Sequence, residues 1–322
     1  MRNLRFLPFL LVVTLAGCRT GSREAKLCMD YYKGRGVPKD FEMAFKTCRT
    51  AAEKGNSDGQ ATLGILYETG AGAPRNFEEA LKWYRLAASQ NDAGAEFSLG
   101  TMYLLGRGVP QDYQEAIRWY RLAVRQGNTE AQLNLGTVYD AGLGLPQDHE
   151  EALKWFRLAA NQGNADAQFN LGLHYQEGLG VSRDNKEASK WYRAAADQDE
   201  PQSQTNLGSM YAHGEGVPQS YAEAAKWFRL AANQGLAKAQ LNLGMFYVNG
   251  LGVHKNKVQA YLWFELAAQR GELDGGLAQQ AIATEMTQGQ IALAEMLARN
   301  WKPKSERSTP ADGAGAAYGS VL

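Results

Sequence analysis

Side chains able to do acid–base, nucleophilic or metal chemistry are few in this chain of 322 residues. It has 4 histidines, His149, His174, His213 and His254, and none stands at a metal-ligand spacing from another His or from a Cys. His174 shares its place in a sequence repeat with Leu66, Met102, Val138, Met210 and Phe246, so a packed histidine is expected there rather than a general base. His149 and His254 fall near helix starts. No Gly-x-Ser-x-Gly elbow occurs, and no Ser precedes a Lys by three residues. The acidic pairs Glu78/Glu79 and Glu150/Glu151 fall in first turns of helices, where the helix dipole favours negative charge without any catalytic reason. The glycines follow helical patterns rather than strands, which argues against a phosphate-binding loop. Lys+Arg and Asp+Glu both number 34, so the basic excess that nucleic-acid binding needs is missing. No catalytic residue, metal or cofactor is expected.

The elements that position these residues follow from the glycines, 35 in all, against only 9 prolines. Leu-Gly recurs with its glycine at Gly64, Gly100, Gly136, Gly172, Gly208 and Gly244, an interval of 36 each time. A tyrosine follows three residues on, from Tyr67 to Tyr247, and Tyr31 keeps the register one interval upstream, where Cys28 replaces the glycine. Seven copies therefore run over 23–272, and each reads as two helices. The first stops at a glycine pair such as Gly106/Gly108. The second opens at Asp40, Asn76, Asp112, Asp148, Asp184, Ser220 and Asn256, all N-cap formers, followed in six copies by a Glu or Gln that suggests a capping box. It carries Ala-x-x-Trp-[Tyr/Phe]-x-x-Ala-Ala, and a tryptophan at the same place in six copies reads as packing rather than as six ligand sites. Residues 273–301 read as a helical cap over the last apolar face, with Ile291, Leu293, Met296 and Leu297 as its apolar stripe; 302–322 read as a disordered tail.

Residues 1–17 have the form of a secretory signal peptide: Arg2 and Arg5, then the apolar run 6–15, too short to span a bilayer. Leu15-Ala16-Gly17-Cys18 resembles the lipobox of bacterial lipoproteins, which implies cleavage before Cys18 and its acylation. The alternative is an ordinary signal peptide with an incidental cysteine. By the same resemblance Arg19 implies the outer membrane, and the linker 18–22 would hold the body close to the lipid, facing the periplasm.

The pattern Ala-x-x-x-Leu-Gly-x-x-Tyr-x-x-Gly-x-Gly-Val, followed by the Asp cap and the Trp helix, resembles the Sel1-like repeat, a relative of the tetratricopeptide repeat. The resemblance implies an all-α fold, an α/α superhelical solenoid whose first helices line a concave face, and a role in protein–protein interaction. Cys28 holds the glycine position and Cys48 the second-helix aromatic position. In tetratricopeptide-like geometry these face each other, which implies a Cys28–Cys48 disulfide; two free buried thiols are the alternative. Groove positions carried over from the same fold fall on Asn134, Asn170, Asn206 and Asn242, with Thr62 and Ser98 in earlier copies. A row of amides can hold an extended peptide backbone, or can fix the repeat interface instead. The preceding position, Phe97, Leu133, Phe169, Thr205 and Leu241, would give either an apolar groove floor or packing between repeats. The basic clamp of chaperone-binding relatives is not evident, so a C-terminal acidic peptide is not expected in the groove. The expected role is a lipid-anchored envelope scaffold for a protein or peptide of the envelope, or a host protein. The other reading is a weak hydrolase of β-lactams or cell-wall fragments, as some cysteine-rich relatives are labelled.

Overall fold

A computed structural model describes residues 23–304. The leader expected at 1–17, the linker 18–22 with Cys18, and 305–322 of the expected tail lie outside the described residues. In chain order the helices are α1 (Arg23–Lys33), α2 (Phe41–Glu53), α3 (Ser57–Thr69), α4 (Phe77–Ala88), α5 (Ala93–Leu105), α6 (Tyr113–Arg125), α7 (Thr129–Ala141) and α8 (His149–Asn161). They continue as α9 (Ala165–Glu177), α10 (Asn185–Ala196), α11 (Pro201–His213), α12 (Tyr221–Asn233), α13 (Ala237–Asn249), α14 (Lys257–Gln269), α15 (Leu273–Ala283) and α16 (Gln288–Asn300). No strand occurs among the described residues, and none of their helices is long and apolar enough to cross a membrane. The fold is all-α, of the α/α solenoid class. It divides into two compact units, one ending at Leu158 and one beginning at Ala159. Within each, hairpins stack side by side: α5 packs on α6 and α4 in the first unit, and α11 on α12 and α10 in the second.

Local chemistry sets the helix ends. Asp112 Oδ1 accepts from the backbone N–H of Gln114 (2.9 Å) and Glu115 (3.0 Å), and Asp40, Asn76, Asp148, Asp184, Ser220 and Asn256 do the same work. The capping boxes expected from the following Glu do not close. Glu79, Glu115, Glu151, Glu187 and Glu223 turn outward to Lys82, Arg118, Lys154, Lys190 and Lys226, within 2.7–3.5 Å. The cap N–H is already spent: Asn76, Asp112, Asp148, Asp184 and Ser220 donate theirs to the carbonyls of Tyr67, Tyr103, Tyr139, Tyr175 and Tyr211 at 2.8–2.9 Å. Thr287 and Gln290 do form the reciprocal box at α16.

Two glycines of one loop show why the pair recurs. Gly106 ends α5 in the left-handed region at φ 65°. Gly108 is needed for contact as well: a Cβ there would lie 2.8 Å from Phe77 Cβ of the preceding hairpin. Between the helices of a hairpin, the Leu-Gly glycine lies under the ring that follows the tryptophan. A Cβ on Gly100 would sit 2.6 Å from the Tyr120 ring, and Gly64, Gly136, Gly172, Gly208 and Gly244 meet Tyr84, Phe156, Tyr192, Phe228 and Phe264 likewise. All six rings are buried. In the first hairpin Cys28 and Cys48, both fully buried, are joined by a disulfide with their Cα atoms 4.7 Å apart. The six tryptophans contribute area and a ring face. Lys82, Arg118 and Lys226 lie 5.4, 5.4 and 5.1 Å over Trp83, Trp119 and Trp227.

Two hydrogen-bonded ladders, not anticipated from the sequence, tie the hairpins together. Buried Gln60, Gln168, Gln204 and Gln240 donate to carbonyls of Ala52, Ala160, Ala196 and Ala232 of the preceding hairpin at 3.1–3.2 Å. Gln90, Gln198 and Gln234 in turn donate to Gln60, Gln168 and Gln204 at 2.8–3.0 Å. Arg85, Arg121 and Arg229 reach forward to the hydroxyls of Tyr103, Tyr139 and Tyr247 at 2.9–3.1 Å. The cap differs from expectation in its facing. α15 and α16 both pack on α14. Ala294 and Ala298 are the buried residues of α16, while Leu293 and Met296 stay 45% and 48% exposed. Leu277 is 65% exposed.

Candidate functional site

The asparagine row sits on the first helices of successive hairpins, and the ring of the preceding second helix decides what each amide does. In the first unit Asn134 is 8% exposed, and its Nδ2 donates to the Tyr120 hydroxyl at 3.1 Å. That hydroxyl also meets Thr101 Oγ1 at 3.2 Å. Burial pushes the phenol up to about 12, against the pull of these two bonds. In the second unit the Tyr192 hydroxyl donates to Gln176 at 2.7 Å, and burial again raises the phenol, against the pull of the neighbouring Asn206 amide. Tyr precedes each of these asparagines by fourteen residues. Phe156 and Phe228 stand at that distance before Asn170 and Asn242, and neither carries a hydroxyl. Asn170 and Asn242 are half-buried, and their amides have no hydrogen-bond partner among the described residues. Thr62 and Ser98, in the earlier copies, are buried; Thr62 Oγ1 donates to the Asp58 carbonyl at 2.8 Å.

The apolar row divides between buried and half-buried side chains. Phe97 and Leu133 are 3% and 8% exposed. Phe97 packs 5.9 Å from the Tyr120 ring and Phe169 6.0 Å from the Tyr192 ring. Leu241 packs against Tyr261 and Phe264, and Thr205 is buried with its hydroxyl on the Pro201 carbonyl at 2.9 Å. Phe97, Leu133 and Thr205 leave little surface for a ligand, while Phe169 and Leu241 stay half-buried.

The histidines are engaged by the fold. His149, the first residue of α8, lies 2.6 Å from Asp140 through Nδ1. His174 is 1% exposed with Nδ1 3.0 Å from the Leu179 carbonyl, and His213 Nδ1 lies 2.8 Å from the Ser209 carbonyl. Asp166, in the first turn of α9, is raised to about 6, first by burial and then by the Glu200 carboxylate. Glu200 itself caps α11 through the N–H groups of Gln202 and Ser203.

Helical hairpins repeated at one interval, each capped by Asx and closed by a glycine under a ring, define an α/α repeat protein. The Sel1 repeat matches residues 24–56, 57–92, 93–128, 129–164, 165–200, 201–236 and 237–272, and the chain belongs to that family. A Sel1 repeat protein from Oxalobacter formigenes is similar in structure, 32% identical, over 76% of this chain and 97% of that one, with a TM-score of 0.67. The protective antigen c5321, present in uropathogenic Escherichia coli strains, is 27% identical over 88% of this chain and 84% of that one, with a TM-score of 0.47. No curated protein matches the chain. Sel1 repeat folds generally serve as protein–protein interaction scaffolds and generally without catalysis.

Proposed function

We propose that this chain is an envelope-anchored scaffold that holds an extended segment of another protein along the first helices of its second unit. Asn170 and Asn242 are the gripping residues. The observation that carries the reading is the split in the asparagine row: Asn134 is spent on a tyrosine hydroxyl and Asn206 stands beside another, whereas Asn170 and Asn242 follow phenylalanines and have donor and acceptor to spare. A free amide can pair with both the C=O and the N–H of a peptide backbone without selecting its side chains. At about 10 Å per packed helix, α9 and α13 stand two steps apart, about six residues of extended chain. The anchoring half rests on the sequence alone, on the apolar run 6–15 and the lipobox ending at Cys18. The partner is a protein of the envelope or of a host. The hydrolase reading draws no support from the comparisons, and the three histidines described above are held by the fold.

In-cell photo-crosslinking from positions 170 and 242, followed by mass spectrometry, names the partner. The Asn170→Ala, Asn242→Ala double variant then loses about tenfold or more in co-purification of that partner, at about 1 kcal/mol per lost bond, with helicity unchanged. Full capture by the double variant would show that the row is structural. Metabolic labelling with a fatty acid, lost in Cys18→Ala, checks the anchor; an unlabelled wild-type chain contradicts it.

A further inference from the structure

A repeat protein carries its own control: a side chain present in every hairpin serves the stack, and one present in a single hairpin calls for another reason. The face of α6 is such an exception. Gln114, Glu115, Ile117, Arg118, Arg121, Leu122 and Arg125 line a surface cavity of about 620 Å³ in the first unit. Arg118 and Arg121 belong to the common pattern: one pairs with Glu115 at 3.2 Å and lies over Trp119, and the other donates to Tyr139. Arg125 does not. Its place is taken by Glu53, Ser89, Asn161, Asp197, Asn233 and Gln269 in the other second helices. Arg125 is exposed and has neither a hydrogen bond nor an ion pair among the described residues.

We infer that this face of α6 is a docking surface for an acidic, leucine-bearing peptide segment of a protein partner. Three guanidinium groups converge here on one helix face, at spacings of three, four and seven residues, with a single carboxylate already paired. The uncompensated charge calls for carboxylates, and planar guanidinium groups bind them through paired N–H donors. The apolar part of the lining, half-buried Leu122 and buried Ile117, calls for an aliphatic side chain beside the guanidinium groups. The same register is leucine in the flanking second helices, Leu86 (41% exposed) and Leu158 (48% exposed). A nucleic acid would draw on the charge and gain nothing from the leucines. This surface is independent of the asparagine row and of the N-terminal anchor.

The full chain in detergent micelles is titrated into a fluorescein-labelled twelve-residue peptide repeating Glu-Glu-Leu, with fluorescence anisotropy as the readout. Repeats of Lys-Lys-Leu and Glu-Glu-Gly, and an oligothymidylate of equal charge, serve as comparison probes. The account expects Glu-Glu-Leu to bind best, to weaken as salt rises, to lose about fivefold in Arg125→Ala and more in Arg125→Glu, with the helical circular dichroism unchanged. Unaltered affinity in Arg125→Glu overturns the site. So does the absence of Glu-Glu-Leu binding at millimolar protein, or equal binding of Lys-Lys-Leu. Oligothymidylate or Glu-Glu-Gly bound as tightly overturns the leucine-bearing peptide assignment.

Discussion

The first hairpin and the sixth solve one problem in two ways. In the sixth, Gly208 lies under Phe228, and a Cβ on the glycine would come within 2.8 Å of the ring. In the first, Cys28 and Cys48 hold the same two positions and are covalently joined. The sixth hairpin has a neighbour on either side, α10 before it and α13 after it. The first hairpin, among the described residues, packs on the second hairpin, chiefly on α3. An inner hairpin is held by two interfaces and can rely on close packing, whereas an end hairpin has lost one interface and gains most from a cross-link. The two designs fail differently, and that difference can be measured by hydrogen exchange resolved along the chain.

The largest effect belongs to Gly208→Val. Its γ-methyl groups enter the space of the Phe228 ring, and the cost exceeds the roughly 3 kcal/mol of ordinary overpacking. Exchange in α11 and α12 should accelerate while α1 and α2 stay protected; unaltered protection in α11 would break the comparison. Next is Cys28→Ser with Cys48→Ser, which removes a link spanning 20 residues of sequence. On the chain-entropy account this costs about 3 kcal/mol. Fast exchange should be confined to the first hairpin, and loss spreading evenly through the chain would contradict its terminal character.

A pH scan separates the first hairpin from the second unit by another route. Asp166 has a folded value of about 6 against an ordinary 3.8, so the folded chain holds a proton that the unfolded chain has released. Stability around α9 is therefore fully present below about pH 4 and falls as pH rises to about 6, by at most about 3 kcal/mol. Asp166→Asn should flatten that slope; an unchanged slope would assign it to another group. The disulfide hairpin has no such dependence from its cysteines. The smallest stability effect is Tyr192→Phe, which gives up the bond to Gln176 for about 1 kcal/mol.

Much of this architecture is legible in the sequence because each device uses a residue type with one physical reason to be there. An Asp or Asn before a helix caps it, and a glycine under a ring leaves room for it. The capping-box motif points the wrong way for Glu79 and its equivalents because it ignores the tertiary turn, in which the cap N–H, such as that of Asn76, is taken by the Tyr67 carbonyl, and the Glu is left to a cation one turn on. The facing of α16 was misread because Leu293 and Met296 satisfy helical periodicity as well as Ala294 and Ala298 do; only the fit against α14 selects the small residues. The glutamine ladder was visible as Gln60, Gln168, Gln204 and Gln240 recurring with Gln90, Gln198 and Gln234, but glutamine has no single structural use that points to it. The signal that sorts the asparagines was also present. Tyr and Phe alternate irregularly after the tryptophan, and treating them as equivalent rings hid the hydroxyl.

That hydroxyl offers the most direct test of the claim that the ring before each asparagine decides between fold and function. Phe228→Tyr places a phenol before Asn242 as Tyr192 stands before Asn206. The measurement is co-purification of the crosslinked partner with this variant, together with its melting temperature. The account predicts melting at or above the wild-type temperature and capture reduced by about fivefold, the equivalent of one hydrogen bond of about 1 kcal/mol. Capture at the wild-type level, with the hydroxyl bonded to Asn242, would contradict it.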